Sequence, residues 1–262
     1  MKLIFFGDIV GKSGRIAVEQ NIGIIKEKYS PDILIANAEN AASGYGLTKK
    51  IAEELFSLGV NVLTLGNHAW DQREMLSYIE ENSKIIRAIN YPKGVPGRGE
   101  YKFILEDGRS VLVLQVMLRL FMGNSLDDPF ETLKKRLKSE ILGSTCNSVF
   151  VDMHGETTSE KNALAHFLDG SITAIIGTHT HIPTADARIL KNGTAYQTDV
   201  GMTGDYDTVI GMDKDGPIHG FTKGYRQEGR FVPGNGKGTL CGVFIDSDDN
   251  SGLAKKIETF QI

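Results

Sequence analysis

Five short apolar runs of this chain end on residues that can hold a metal ion or move a proton. Asp8 follows Lys2–Phe6, and the pair Glu39-Asn40 follows Ile33–Ala36. Asn67-His68 follows Val60–Leu65, His154 follows Ser148–Met153, and His179 and His181 follow Ile172–Ile176. Carboxylate, amide oxygen and imidazole, with no thiolate, suit manganese, iron or zinc. Two ions about 3.5–4 Å apart need a bridging carboxylate, and Glu39 is the candidate. Alternate residues of an extended segment point the same way, so His179 and His181 can each reach a different ion. Taken singly, each residue has a plainer explanation. Asp8 could cap a turn, Asn67 could turn the chain after Gly66, and His154 could be a hydrogen-bonded core residue. Their coincidence at five strand ends carries the reading.

The charge balance says what such a site could bind. Two divalent ions bring four positive charges, Asp8 and Glu39 remove two, and neutral amides and imidazoles add none. The remaining positive charge suits a bound phosphate and the charge that builds on its oxygens during transfer. His68 lies directly after a candidate ligand and is free to protonate a leaving oxygen.

The elements must bring these ends together. Lys2–Phe6, Ile33–Ala36 and Val60–Leu65 read as strands buried on both faces. Helical patterns at about Arg15–Tyr29 and from Thr48 to Leu58 separate them, the second capped by Thr48 with Ile51, Leu55 and Leu58 on one face. This βαβαβ rhythm implies right-handed crossovers and a parallel sheet, whose strands deliver their C-terminal ends to one rim. The Gly11–Gly14 region lacks the spacing of a phosphate loop and reads as close backbone approach to the site. Further on, the pattern predicts a helix over Gln72–Glu81, a short strand at Ile85–Ile89 and a hairpin of Tyr101–Leu105 with Ser110–Val116 about Asp107-Gly108. A charged helix over Asp127–Glu140 and a helix over Ser159–Leu168 follow. A second hairpin joins Ala187–Leu190 to Thr194–Gln197, and Thr198–Gly238 is glycine-rich and irregular. Thr239–Ile245 and Lys256–Ile262 can pair at the end. The hairpins predict a mixed α/β fold with two layers of sheet.

With 262 residues, 40% apolar and 24% charged, the chain suits one sizeable core, read as a single domain over 1–262. A net charge of −4 argues against a basic nucleic-acid surface but not against a small anionic substrate. Cys146 and Cys241 read as reduced, packed thiols. The first apolar run is too short for a signal peptide, and none reaches the roughly 18 residues of a membrane span. A soluble cytoplasmic protein with no membrane partner is expected. His166 reads as solvated, opposite Leu164, Phe167 and Leu168, and His219 has no evident partner.

Gly7-Asp8, Glu39-Asn40, Gly66-Asn67-His68, His154 and Gly177-Thr178-His179-Thr180-His181 resemble the calcineurin-like metallophosphoesterases. Asn37–Thr48, Leu65–Asp71 and Thr198–Gly211 are similar to the bacterial YmdB-like phosphodiesterases within them. The resemblance covers nearly the whole chain and is weakest around Gly220–Gly236. It implies a four-layer αββα sandwich of two mixed sheets flanked by helices. It implies two divalent metal ions per chain, iron or manganese with zinc as the alternative, and hydrolysis of phosphodiesters such as 2′,3′-cyclic nucleotides by a metal-activated hydroxide. Carried over by position, Asp8, Asn40 and His181 hold one ion, Asn67, His154 and His179 the other, Glu39 bridges, and His68 is the general acid. The chain departs from the broad pattern twice. Val10 stands where many members have a histidine, with Asn40 as the substitute ligand. Ala69 stands where many have an acidic residue, so Asp71 either orients His68 or caps the next helix. Tyr45 and Thr198–Tyr206 are candidates for shaping the pocket.

The substrate expected is a small phosphodiester or cyclic nucleotide, with room for RNA-derived substrates and for a homo-oligomer. The rival readings are a regulator that senses a nucleotide with little or no turnover, and a phosphomonoesterase or nuclease with the same metals.

Overall fold

Alternation along the strands decides the layering. The computed structural model describes residues 1–123, 125–225 and 228–262. In chain order the first half gives β1 (Lys2–Phe6), α1 (Gly11–Tyr29), β2 (Ile33–Asn37), α2 (Lys49–Ser57), β3 (Val62–Thr64), α3 (Met75–Glu81), β4 (Ile85–Ile86), β5 (Glu100–Ile104) and β6 (Ser110–Met117). The second half gives α4 (Pro129–Leu137), β7 (Ser148–His154), α5 (Thr158–Leu168), β8 (Ala174–Thr178), β9 (Arg188–Ile189), β10 (Ala195–Gln197), α6 (Asp215–Lys223), β11 (Cys241–Ser247) and β12 (Ala254–Gln261).

These strands form two six-stranded sheets, ordered β12-β11-β1-β2-β3-β4 and β5-β6-β7-β8-β10-β9. The inner strands run parallel: β1, β2, β3 and β4 in the first sheet, β6, β7, β8 and β10 in the second. β11 and β12 add antiparallel to the first sheet, β5 and β9 to the second. Leu3, Phe5, Ile33 and Ile35 face Val111, Val113, Phe150 and Ile176 between the sheets, with the Phe5 and Phe150 rings 4.9 Å apart. The residues between them in sequence, Ile4, Phe6 and Leu34, pack under α1 and α2. On the far side, Leu112, Leu114, Val149 and Val151 pack under α4 and α5. Strands apolar on both faces need cover on both, and a helix–sheet–sheet–helix sandwich supplies it.

Several boundaries differ from the pattern-based ones. α1 starts at Gly11, not Arg15, because Gly14 N–H already bonds the Val10 carbonyl. Gly14 is needed for the backbone: a Cβ there would lie 2.2 Å from the Thr203 carbonyl oxygen. α3 starts at Met75 rather than Gln72, and no side chain caps it. Thr48 caps α2 through Ile51 N–H, and Asp128 caps α4 through Phe130 and Glu131 N–H groups. The irregular stretch 198–238 contains α6, which its polarity and glycines conceal; its Arg226 and Gln227 lie outside the described residues. Phe167 is partly exposed with its ring edge-on to Phe130 at 5.5 Å, and His166 is exposed as expected. Both cysteines are free and buried. Among the described residues no helix is long and apolar enough to cross a membrane.

Candidate metal centre

All five polar strand ends meet where the C-terminal ends of the parallel strands of the two sheets come together. β1 delivers Asp8, β2 delivers Glu39 and Asn40, and β3 delivers Asn67 and His68. β7 ends on His154, and β8 leads into His179 and His181. Ligand atoms of Glu39, His154 and His179 lie within 4.8 Å of one another, and so do those of Asp8, Glu39 and His181. Glu39 belongs to both groups. His154 Nε2 is 3.1 Å from Glu39 Oε1 and 2.9 Å from Asn67 Oδ1.

Whether these residues fit metal ions is tested by their unmet hydrogen-bonding capacity. Asp8 Oδ1 and Asn40 Oδ1 are buried without a hydrogen-bond partner. Asn40 Nδ2 donates to the Gly44 carbonyl, which fixes the amide so that its oxygen is the atom left over. A buried oxygen without a partner costs about 1–3 kcal/mol, and a cation is the partner that removes the cost.

The imidazole tautomers give a second test. Thr178 Oγ1 donates its single proton to Asp152 Oδ1 at 2.7 Å. It must therefore accept from His154 Nδ1, 2.9 Å away, which puts a proton on Nδ1 and aims Nε2 at Glu39 and Asn67. His181 Nδ1 lies 2.7 Å from the Ile210 carbonyl oxygen, which can only accept, so Nε2 is again the free nitrogen. Metal-binding histidines characteristically donate their other ring nitrogen in this way. The residues fit.

Burial and mutual charge set the proton affinities of the chain alone. Burial pushes Asp8 above the usual carboxylate range. Burial would also raise Glu39, but His154 and His68 beside it hold it well below that range. Burial alone would lower His154, yet Glu39 and Asp8 lift it to about 9, whereas burial and the His154 charge drop His179 to about 3. The carboxylates thus draw a second proton onto His154, at the Nε2 that faces Glu39 and Asn67, the place a cation would take.

His68 stands apart from both groups. Its backbone N–H donates to Glu39 Oε2, its Nδ1 lies 2.7 Å from Asp71 Oδ2, and its ring meets the Tyr45 ring edge-on at 5.2 Å. Asp71 therefore faces His68 and does not cap a helix. The side chain is about 29% exposed, in a cleft of about 390 Å³ lined also by Tyr45, Ile210, Met212 and Phe231. No residue of 198–206 lines that cleft, contrary to the sequence expectation. That segment is instead a strap between the sheets: Val200 N–H bonds Gly177, Met202 N–H bonds His181 and Thr203 N–H bonds Asp8, each at its carbonyl. His219, on α6, packs edge-on against the Tyr225 ring just past the helix end.

Four supporting residues escaped the sequence reading. Asp152 accepts from Asn37, Thr64 and Thr178, and burial lifts its carboxyl to about 7. Lys161 and Asp199 form a fully buried ion pair at 2.9 Å. Glu156 Oε2 lies 3.2 Å from His179 Nε2. The available signal for Asp152 was a carboxylate inside an apolar strand, two residues before His154 and so on its face.

A family model described as YmdB-like protein matches residues 4–260. A Bacillus subtilis protein named 2′,3′-cyclic-nucleotide 2′-phosphodiesterase is 42% identical over all of this chain and 97% of its own length. A Thermus thermophilus hypothetical protein of known structure superposes with a TM-score of 0.92 at 40% identity, covering 100% of this chain and 99% of that one. A Mycoplasma pneumoniae structure titled a novel phosphatase gives a TM-score of 0.92 at 35% identity, over 100% of this chain and 93% of that one.

Proposed function

This chain belongs to the YmdB-like protein family, and we propose that it is a two-metal phosphodiesterase acting on 2′,3′-cyclic nucleotides or similar small phosphodiesters. The observation that carries this is the pair of ligand groups sharing Glu39, with buried Asp8 and Asn40 oxygens left for a cation. Asp8, Asn40 and His181 would hold one ion, Asn67, His154 and His179 the other, and Glu39 would bridge. The donor set favours iron or manganese, with zinc as the alternative. Bound there, two divalent ions would supply an activated water and neutralise charge on the phosphate oxygens. We read residues 1–262 as one domain and the protein as cytoplasmic.

The chain's own residues handle the proton. Asp71, an acceptor at Nδ1, holds His68 in the tautomer that keeps its proton there. The proton delivered to the leaving oxygen is the second one, on Nε2: the ring acts as an imidazolium whose charge Asp71 balances and returns to the Nδ1–H tautomer after transfer, and the Tyr45 edge limits its rotation. On a 2′,3′-cyclic nucleotide, cleavage of the 2′ P–O bond protonates the 2′ oxygen and leaves a 3′-monoester. His68 is exposed enough to regain its proton from solvent.

His68→Ala tests the division of labour. The variant should bind both ions with unchanged stoichiometry and lose most turnover. Loss of metal along with activity would make His68 a ligand and overturn its role.

A further inference from the structure

Glu156 is the charged residue of the cleft that the ligand sets leave unused. It lies just past β7, two residues beyond His154 on the turn into α5. Its side chain is 50% exposed, whereas that of Glu39 is 1% exposed. Its Oε2 nevertheless lies 3.2 Å from His179 Nε2, so its charge stands at the mouth of the cleft, directly beside a candidate ligand.

The cleft's cations make this carboxylate informative. Among the described residues no lysine or arginine lines the cleft. Arg230, beside it, is 3.6 Å from Asp71 Oδ1 and 4.9 Å over the Tyr45 ring, so its charge is already engaged. A site built for dianionic phosphate gains from guanidinium or ammonium groups around the oxygens. This one adds a carboxylate. Counting two divalent ions against Asp8, Glu39 and Glu156 leaves a single net positive charge. A phosphodiester carries one negative charge, while a monoester carries nearly two at neutral pH, its second ionisation lying near about pH 6.

We propose that Glu156 is a specificity-determining residue that favours phosphodiester monoanions over phosphomonoester dianions and hastens release of the monoester product. The proposal rests on the phosphodiesterase reading and extends it to substrate charge. A full charge at the cleft mouth, partly screened by solvent, should discriminate on the order of tenfold.

The test is Glu156→Gln in metal-loaded protein. It reads kcat/KM for bis(p-nitrophenyl) phosphate and p-nitrophenyl phosphate, the affinity for inorganic phosphate by calorimetry, and metal content. The monoester-to-diester ratio should rise about tenfold, phosphate should bind correspondingly tighter, and both effects should shrink at high salt, with two ions retained. An unchanged ratio with unchanged phosphate affinity overturns the proposal. So does loss of an ion, which would make Glu156 a ligand. If the wild-type protein cleaves no diester, the phosphodiesterase reading fails, while phosphate affinity in the variant still decides the charge claim.

Discussion

At the scale of single residues, the site depends on how each side chain is held as much as on its identity. Gly66 shows this without any side chain. A Cβ there would lie 2.1 Å from Glu39 Oε2 and 2.5 Å from His154 Nε2, so the glycine is required by space beside Glu39, the proposed bridge. Gly66→Ala should fold, yet bind metal at least about tenfold more weakly, because both donors must move. Isothermal titration with manganese reads this, and wild-type affinity would show that the pair can give way. Asp71 is the other decisive neighbour. Asp71→Asn should cut kcat about 10–100-fold with metal content unchanged, since an amide can present a donor to Nδ1 and favour the wrong tautomer. Metal loss in that variant would contradict an effect confined to His68. The donors themselves were legible because each interrupts an apolar run at its end. Their supports were not. Lys161 and Asp199 look like ordinary polar residues until the fold buries them completely.

At the scale of elements, the turn after β8 is a costly piece of backbone in the site. His179 and His181 both adopt positive φ, 98° and 65°, which is unfavourable for residues with a Cβ. Lys161 from α5 and Asp199 after β10 hold that turn from below. Lys161 Nζ donates to the Thr178 carbonyl at 2.8 Å and to Asp199, whose Oδ2 also accepts the Thr180 N–H at 3.0 Å. Lys161→Met strands a buried carboxylate and should cost about 3–5 kcal/mol. The double variant Lys161→Met with Asp199→Leu should recover part of that stability but not the metal affinity, because the Thr180 amide then lacks its acceptor. Denaturant melts paired with metal titration separate the two effects. Full recovery of metal binding would show that the pair serves stability alone. The βαβ rhythm and both hairpins could be read from periodicity and turn residues. The strap over 198–204 could not. Its hydrogen bonds go to Gly177 on β8 and to the His181 and Asp8 loops rather than along one neighbouring strand, so no period of two marks it.

At the scale of the whole molecule, the centre lies between two sheets. Asp8, Glu39, Asn40 and Asn67 come from one sheet, and His154, His179 and His181 from the other. Ions held by both sets would tie the layers together at the rim, in addition to the apolar contacts that Phe5 and Phe150 make deeper between them. Ligands that bind only the folded state stabilise it by about 2.7 kcal/mol at a hundredfold excess over Kd. For a chain of this size that raises Tm by roughly 5–10 °C. Removing metal with a chelator should reverse the shift, and adding manganese should restore it. A melting temperature indifferent to metal would argue against ions shared between the sheets. The layering itself followed from strands apolar on both faces, but which loop ends would meet across the sheets is decided by packing that no local pattern records. The central claim, a two-metal site built for phosphodiesters, is tested most directly by one substrate panel. Purified protein loaded with iron, manganese or zinc is offered a 2′,3′-cyclic nucleotide, a simple diester and a simple monoester. The account predicts metal-dependent hydrolysis with the cyclic diester preferred and the monoester poorest. Preference for the monoester, or turnover unaffected by metal removal, would contradict it.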